Sequence, residues 1–130
     1  MVVVMNFKDN KAIYLQIADR IGDEVLNGQL QIDGKIPSVR EMAAQIEVNA
    51  NTVARTYEYL QQSGVIYTKR GLGYFVAPDA RKAIVRQRKE QLRERGEMDY
   101  FLGQLKAVGI TPDDLKQLYI DFLNAQAPGS

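Results

Sequence analysis

The fold is decided by residues 37–64, PSVREMAAQIEVNANTVARTYEYLQQSG. The spacing S-x-x-E near its start predicts a capping box, in which Ser38 and Glu41 each bond the other's backbone amide, so a helix begins here. Asn49 is a second helix-start signal, and Gly64 is a stop signal. Two short helices separated by only a few residues are typical of a helix-turn-helix arrangement.

The second helix of this stretch has two different faces. Val53, Tyr57 and Leu60 recur at the spacing of a buried stripe. In helix-turn-helix proteins the start of the second helix reaches base edges in the major groove. The solvated side of a core helix is also polar, so this feature alone leaves both readings open. The polar residues grouped opposite the stripe are Asn51, Thr52, Arg55 and Thr56.

The segment before this pair of helices is predicted to be a third helix. Apolar residues repeat every four positions from Ile13 to Val25, which indicates one buried stripe. Gly28 supplies a left-handed stop. The connector LQIDGKIP follows, with Gly34 and Pro37 as turn signals.

The segment after the pair is predicted to be a β-hairpin. VIYTKR and YFVA alternate in the period of a strand, and GLG between them favours a tight turn. Lys69 and Arg70 lie at the tip of this hairpin, and Pro78 ends the unit. A basic tip next to two glycines lets the backbone approach a phosphate strand closely, although it would also serve solubility.

The last third of the chain is predicted to be a helical hairpin. A long charged helix starts at Asp79 and ends at Gly109. Gly96 and Gly103 weaken it by about 1 kcal/mol each relative to alanine, which would allow a bend near Gly96. Thr111 then starts a final helix, because a proline and two acidic residues follow it. Both helices are amphipathic, but no third helix completes a core. Two such hairpins from two chains could bury each other's apolar stripes.

The amino-acid composition excludes several classes of function. The 130 residues contain no cysteine and no histidine, which excludes thiol and histidine catalysis and the usual zinc sites. The sequence places no pair of carboxylates on a shared structural face with an evident pocket, so we do not expect an enzyme. We expect no cofactor either. No apolar run approaches a membrane span, and the opening MVVVMNF is too short for a secretory signal, so we expect a cytoplasmic protein with no membrane partner.

The distribution of charge is more informative than its total. The net charge is only +1, but residues 69–95 carry nine basic and three acidic side chains. This concentration is a weak indication of a polyanionic partner, since charged runs are often solvated helix faces.

The spaced motifs Pro-Ser-x-Arg, Asn-Thr-Val and Gly-x-Gly within residues 11–78 resemble the DNA-binding domain of the GntR family of bacterial transcription regulators. Residues 79–125 are similar to the short helical part of its YtrA-like subgroup. The resemblance implies a mainly α fold with a small β-hairpin. Residues 1–78 would form a winged helix-turn-helix DNA-binding domain, and residues 79–130 a C-terminal helical dimerisation region. It also implies a homodimer that binds double-stranded, pseudo-palindromic operator DNA, most often as a repressor.

The resemblance carries over to individual positions. The arginine of Pro-Ser-x-Arg is Arg40, and the turn and the start of the recognition helix carry Asn49, Asn51 and Thr52. For Asn49 we favour a capping role first. The complete set of predicted DNA-binding residues is Ser38, Arg40, Asn49, Asn51, Thr52, Arg55, Thr56, Lys69, Arg70 and Gly71.

Three positions depart from the family pattern. Ala50 and Ala54 stand where many members carry arginine, so those contacts do not transfer. Arg55 lies one residue further along, as in the subgroup. Glu47 replaces the glycine that usually ends the first helix of the motif, which would cost about 1 kcal/mol if the left-handed conformation is kept.

Other partners remain alternatives. A winged-helix module could bind RNA or a protein instead of duplex DNA. Tyrosines could also stack on single-stranded bases, the four candidates being Tyr57, Tyr59, Tyr67 and Tyr74. Regulators of the family commonly respond to small molecules. The C-terminal region is too short to enclose a large pocket, so we expect any effector at the dimer interface or between the domains.

Overall fold

The chain forms two compact units, divided between Gln87 and Arg88. A computed structural model describes Phe7 and residues 11–94 and 96–126. The opening segment MVVVMNF lies, apart from Phe7, outside the described residues. No helix in the described ranges is both long and apolar enough to cross a membrane. The elements are α1 (Ile13–Leu26), α2 (Val39–Ile46), α3 (Ala50–Gln62), β1 (Ile66–Lys69), β2 (Gly73–Val76), α4 (Ala80–Glu94), α5 (Glu97–Ala107) and α6 (Pro112–Gln126).

The core of the first unit is built from the predicted stripes. Ile17 and Ile21 of α1 pack with Val53 and Tyr57 of α3, and each of these side chains is at most 2% exposed. The other buried residues of α1, α2, α3 and the hairpin belong to the same hydrophobic cluster. One apolar face of each of these elements is therefore covered. The predicted mainly α fold with a winged helix-turn-helix is confirmed.

The turn between α2 and α3 is held by caps at both helix starts. Ser38 Oγ accepts a hydrogen bond from the Glu41 amide at 3.1 Å, and Glu41 Oε1 accepts one from the Ser38 amide at 2.9 Å. Asn49 Oδ1 accepts from the Asn51 amide at 2.7 Å. Glu47 has φ 56° and ψ 48°, so the left-handed conformation is kept without glycine. The short turn between α2 and α3 therefore requires Glu47 to adopt a left-handed conformation, which is unfavourable for a residue other than glycine.

The hairpin has a further edge that the sequence did not indicate. Strands β1 and β2 pair antiparallel, with Ile66 opposite Val76. The connector before α2 then runs along the other edge of β2, where Lys35 bridges Phe75 and the Ile36 amide donates to the Tyr74 carbonyl at 3.0 Å. The connector therefore positions the wing directly, instead of only linking α1 to α2.

Helix α4 starts inside the first unit. Ala80, Ala83 and Ile84 are buried in its core. For this reason the division of the chain falls within α4, later than the boundary expected after Pro78.

The second unit contains the helical hairpin. The long helix expected from Asp79 to Gly109 is two helices, α4 and α5, and Gly96, with φ 71°, directly precedes α5. The interruption lies where the weakening at Gly96 allowed a bend. Thr111 caps α6 as predicted, since its hydroxyl accepts from the Asp114 amide at 3.2 Å. No residue of α5 or α6 is buried.

Candidate nucleic-acid interface

The first turns of α3 present polar groups to solvent. Asn51 is exposed and Thr52 is half-buried. The Asn49 side chain is engaged in the cap of α3, as the capping interpretation predicted. An exposed Asn side chain on such a helix can bond adenine through two hydrogen bonds, and a threonine methyl can contact thymine.

The structure corrects the prediction for Thr56. This residue is 0% exposed, and its Oγ1 donates to the carbonyl oxygens of Tyr14 at 2.9 Å and Thr52 at 3.1 Å. It therefore cannot contact DNA, and instead joins α3 to α1. The spacing carried this information: position 56 completes an i, i+3, i+4, i+7 stripe with Val53 and Leu60, and a hydroxyl on that stripe needs a buried acceptor.

Arg55 is exposed and lies against α1. Its guanidinium carbon is 4.0 Å from the centre of the Tyr14 ring. The Arg55 side chain forms no ion pair and no hydrogen bond with the described residues. Its N–H donors thus remain available to a partner, in the fork geometry that matches guanine O6 and N7.

Arg40 lies in the first turn of α2, within the capping box of that helix. Ser38 uses both its hydroxyl and its amide in the capping box, so its role in the structure is a helix cap. The Ser38 amide, followed by its hydroxyl, holds the pKa of the Glu41 carboxyl below its usual value. Arg40 is exposed, and it forms no ion pair in the described part of the chain.

Tyr57 connects the two helices of the motif to the wing. Its hydroxyl donates to the Pro37 carbonyl at 2.6 Å, just before α2. Its ring meets the Tyr74 ring edge-on, with centroids 4.8 Å apart. Burial raises the pKa of Tyr57 well above its ordinary value, so the hydroxyl stays protonated and remains a donor. This residue fixes the entry to α2 relative to α3 and β2.

The wing tip is the turn between Lys69 and Gly73. Gly71 has φ 78°, and Arg70 and Leu72 beside it are exposed. The Lys69 ammonium lies 4.9 Å from the centre of the Phe75 ring, so its side chain follows the face of the hairpin. The tip therefore offers the exposed side chain of Arg70 and a glycine where a phosphate strand can approach.

Lys35 is a basic residue of the wing that we did not select from the sequence. It is exposed on the edge segment beside β2, and its Cε lies only 3.2 Å from where a side chain on Gly73 would begin. The sequence signal for Lys35 is the alternation of a polar residue with the apolar Ile36, which is typical of a strand. In the structure Lys35 is exposed and Ile36 is buried.

The rings of the candidate stacking tyrosines are engaged inside the protein. Tyr57 is fully buried, and Tyr67 stacks on Phe75 with centroids 5.7 Å apart. Tyr59 meets Tyr14 edge-on at 6.0 Å. These rings do not form a free platform for single-stranded bases.

Comparison with known proteins finds similar regulatory proteins. The family described as bacterial regulatory proteins, gntR family, matches residues 13–76. The transcriptional regulator YhcF of Bacillus subtilis is 41% identical over 109 residues, covering 84% of this chain and 88% of YhcF. The transcriptional repressor YtrA of the same organism is 33% identical over 88 residues, covering 68% of each chain.

Solved structures show the same fold. A GntR-family transcriptional regulator from Bacteroides thetaiotaomicron is 51% identical with a TM-score of 0.72, and the match covers 89% of this chain and all of that one. The DNA-binding domain of AraR, solved in complex with operator ORX1, is 26% identical with a TM-score of 0.51. That match covers 59% of this chain and 95% of the AraR domain.

Proposed function

The chain belongs to the GntR family of bacterial regulatory proteins, and from this premise we propose that it is a homodimeric repressor that binds double-stranded operator DNA. The observation that carries the proposal is the start of α3, where Asn51 and Arg55 stand one helical turn apart with exposed side chains. A helix carrying these groups fits the major groove, where each base pair has a distinct pattern of donors and acceptors. The AraR domain in complex with its operator supports this use of the fold.

We expect the other predicted residues to divide into two roles. Asn51, Thr52 and Arg55 would read base edges, because they lie on the exposed start of α3. Arg40 and Arg70 would contact phosphates or the minor groove beside the helix, and Lys35 joins them on the edge of the wing. Phosphate contacts give affinity that falls steeply with salt, whereas base contacts give sequence preference.

Pairing of two copies would be provided by α5 and α6. An open apolar groove of about 590 Å³ lies between these helices, lined by Met98, Phe101, Leu102, Leu105, Leu115 and Leu118 among others. A second copy that covers this groove would bury the stripes that the hairpin leaves exposed, and would place two reading helices on one operator. We expect an effector, if the protein responds to one, to bind at the interface between the two copies.

The repressor role and the cellular location follow from the same proposal. The similarity to the repressor YtrA favours repression, which requires only that the bound dimer exclude polymerase from the promoter. Operator DNA in a bacterium lies in the cytoplasm, so the protein would act there.

The proposal is tested by binding of the purified full chain to a duplex that it selects from a random-sequence library. Arg40→Ala and Arg55→Ala are each expected to weaken binding by about 1–3 kcal/mol. Arg20→Ala is the matched control, because it removes the same charge from an arginine that pairs with Glu24 at 3.4 Å. Unchanged binding by both test variants would refute the assignment.

An RNA-binding function is the second candidate, and the same assay separates it. Duplex DNA, duplex RNA and single-stranded RNA of the selected sequence compete for the protein. Preference for either RNA over duplex DNA would favour the RNA-binding alternative. The engaged tyrosine rings already disfavour base stacking by these side chains.

A further inference from the structure

We propose that Tyr14 is a positioning residue for DNA readout, because its ring holds the Arg55 guanidinium in place for a base contact. The inference rests on the proposed function and deepens it, since it assigns a role to a residue outside the helix-turn-helix. Tyr14 is the second residue of α1, and the Arg55 guanidinium carbon is centred 4.0 Å above its ring. A guanidinium is attracted to the negative face of an aromatic ring.

Tyr14 is itself fixed through both its backbone and its ring. The buried hydroxyl of Thr56 donates to the Tyr14 carbonyl at 2.9 Å, which ties the backbone of Tyr14 to the residue that follows Arg55. Tyr59, one turn further along α3, meets the ring edge-on with an interplanar angle of 78°. The Tyr59 hydroxyl in turn accepts a hydrogen bond from Gln87 of α4. The ring is therefore part of the packed structure and not a mobile surface group.

Holding an arginine by a ring face differs from holding it by a carboxylate. A carboxylate would occupy the same N–H groups that guanine needs, and it would oppose the approach of DNA. A ring face takes up no strong hydrogen bond, so the in-plane donors and the full positive charge of Arg55 remain available. Fixing the side chain in advance also lowers the entropy cost of the contact, which corresponds to about 2- to 10-fold in affinity for one side chain.

The test compares full-length Tyr14→Leu, which removes the ring, with Tyr14→Phe, which keeps it. The probe is the duplex selected by the wild-type chain, together with variants of the base pair at which Arg55→Ala loses discrimination. Tyr14→Leu is expected to lose about 2- to 10-fold in affinity for the preferred base pair. Discrimination at the other positions and the salt dependence are expected to stay as in the wild type. Tyr14→Phe should behave like the wild type.

A double-mutant cycle distinguishes positioning from a general structural role. In the Arg55→Ala background, Tyr14→Leu should have no further effect on affinity, because the side chain that it positions is gone. An additive loss in the double variant, or equal losses at every position of the duplex, would overturn the role of Tyr14. If the wild-type chain selects no duplex, the proposed function fails and this inference fails with it. Selection by the wild type together with unchanged readout in Tyr14→Leu refutes only the inference.

A measurement on the free wild-type protein keeps the inference testable even if Tyr14→Leu does not fold. The δ protons of Arg55 should show an upfield ring-current shift in the NMR spectrum, since the side chain lies over the Tyr14 ring. Shifts of an unstructured arginine at Arg55 would overturn the proposal.

Discussion

The two units of the chain use similar amphipathic helices but bury them to very different extents. In the first unit, α3 places Val53 and Tyr57 at 0% exposure against α1 and the hairpin. In the second unit, Tyr119 is 61% and Phe122 57% exposed, and neither α5 nor α6 has a buried residue. An apolar stripe therefore predicts a face that will be covered, but the chain itself covers it only in the first unit. We infer that the second unit depends on a partner copy.

The largest expected difference comes from truncating one leucine in each unit. Leu60 is 2% exposed and Leu118 is 53% exposed. Leu60→Ala should lower the free energy of unfolding by about 2–5 kcal/mol, because it leaves a cavity in a closed core. Leu118→Ala should have an effect that depends on protein concentration, since its packing would come from the second copy. Urea unfolding at several protein concentrations measures both, and equal concentration-independent losses would contradict the comparison.

A charge on the exposed stripe of α6 tests the proposed partner directly. Phe122→Glu is expected to raise the dissociation constant of the dimer about 100-fold, because a carboxylate would be buried without a counter-charge. Asp121→Glu, next to it, is the control that alters an already charged residue. Analytical ultracentrifugation gives the dissociation constant, and an unchanged value would exclude this stripe from the interface.

The two capping boxes provide a matched pair of smaller effects. Ser38 caps α2 and Thr111 caps α6 through the same exchange of bonds with the residue three positions on. Alanine at either position should cost its helix about 1 kcal/mol. Ser38→Ala should show this loss in unfolding at any concentration, whereas Thr111→Ala should show it mainly where the dimer forms. A loss of stability in Thr111→Ala at every protein concentration would mean that the second unit folds without a partner.

The smallest effects are expected from pH. Hydrogen bonds from Ser38 hold the pKa of Glu41 below its usual 4.5, and those from Thr111 hold the pKa of Asp114 below 3.8. A carboxyl whose pKa is lower in the folded state stabilises it above the unfolded value, and this stabilisation is lost as pH falls through the folded value. Glu41→Gln and Asp114→Asn should each flatten the acid side of the stability profile. A profile unchanged by Glu41→Gln would contradict the contribution of the first box.

Sequence reasoning recovered what depends on local spacing. The stripe of α3, the caps at Ser38, Asn49 and Thr111, and the hairpin all follow from residues a few positions apart. The order of these elements predicts a helix-turn-helix followed by a hairpin, whereas the family came from the resemblance of the spaced motifs to GntR-family regulators.

Contacts between distant segments were not accessible in the same way. The stacking of Arg55 on Tyr14 joins positions on α1 and α3, and the pairing of Lys35 with Phe75 depends on how the connector folds back. No spacing rule connects such positions, because their distance is set by the assembled core. The prediction that Thr56 contacts DNA was wrong for a different reason. It followed from the polar side chain and gave too little weight to the position of Thr56 on the buried stripe of α3.

The central claim is that the first unit binds DNA and the second unit holds two copies of the chain together. Hydroxyl-radical footprinting of the full chain on its selected duplex tests this claim most directly. The wild type is expected to protect two symmetric half-sites about 34 Å apart, or a multiple of that distance, with two chains per duplex. Arg55→Ala should lose the footprint at protein concentrations where Arg20→Ala retains it. A single unpaired footprint with one chain per duplex, or protection that Arg55→Ala leaves intact, would contradict the account.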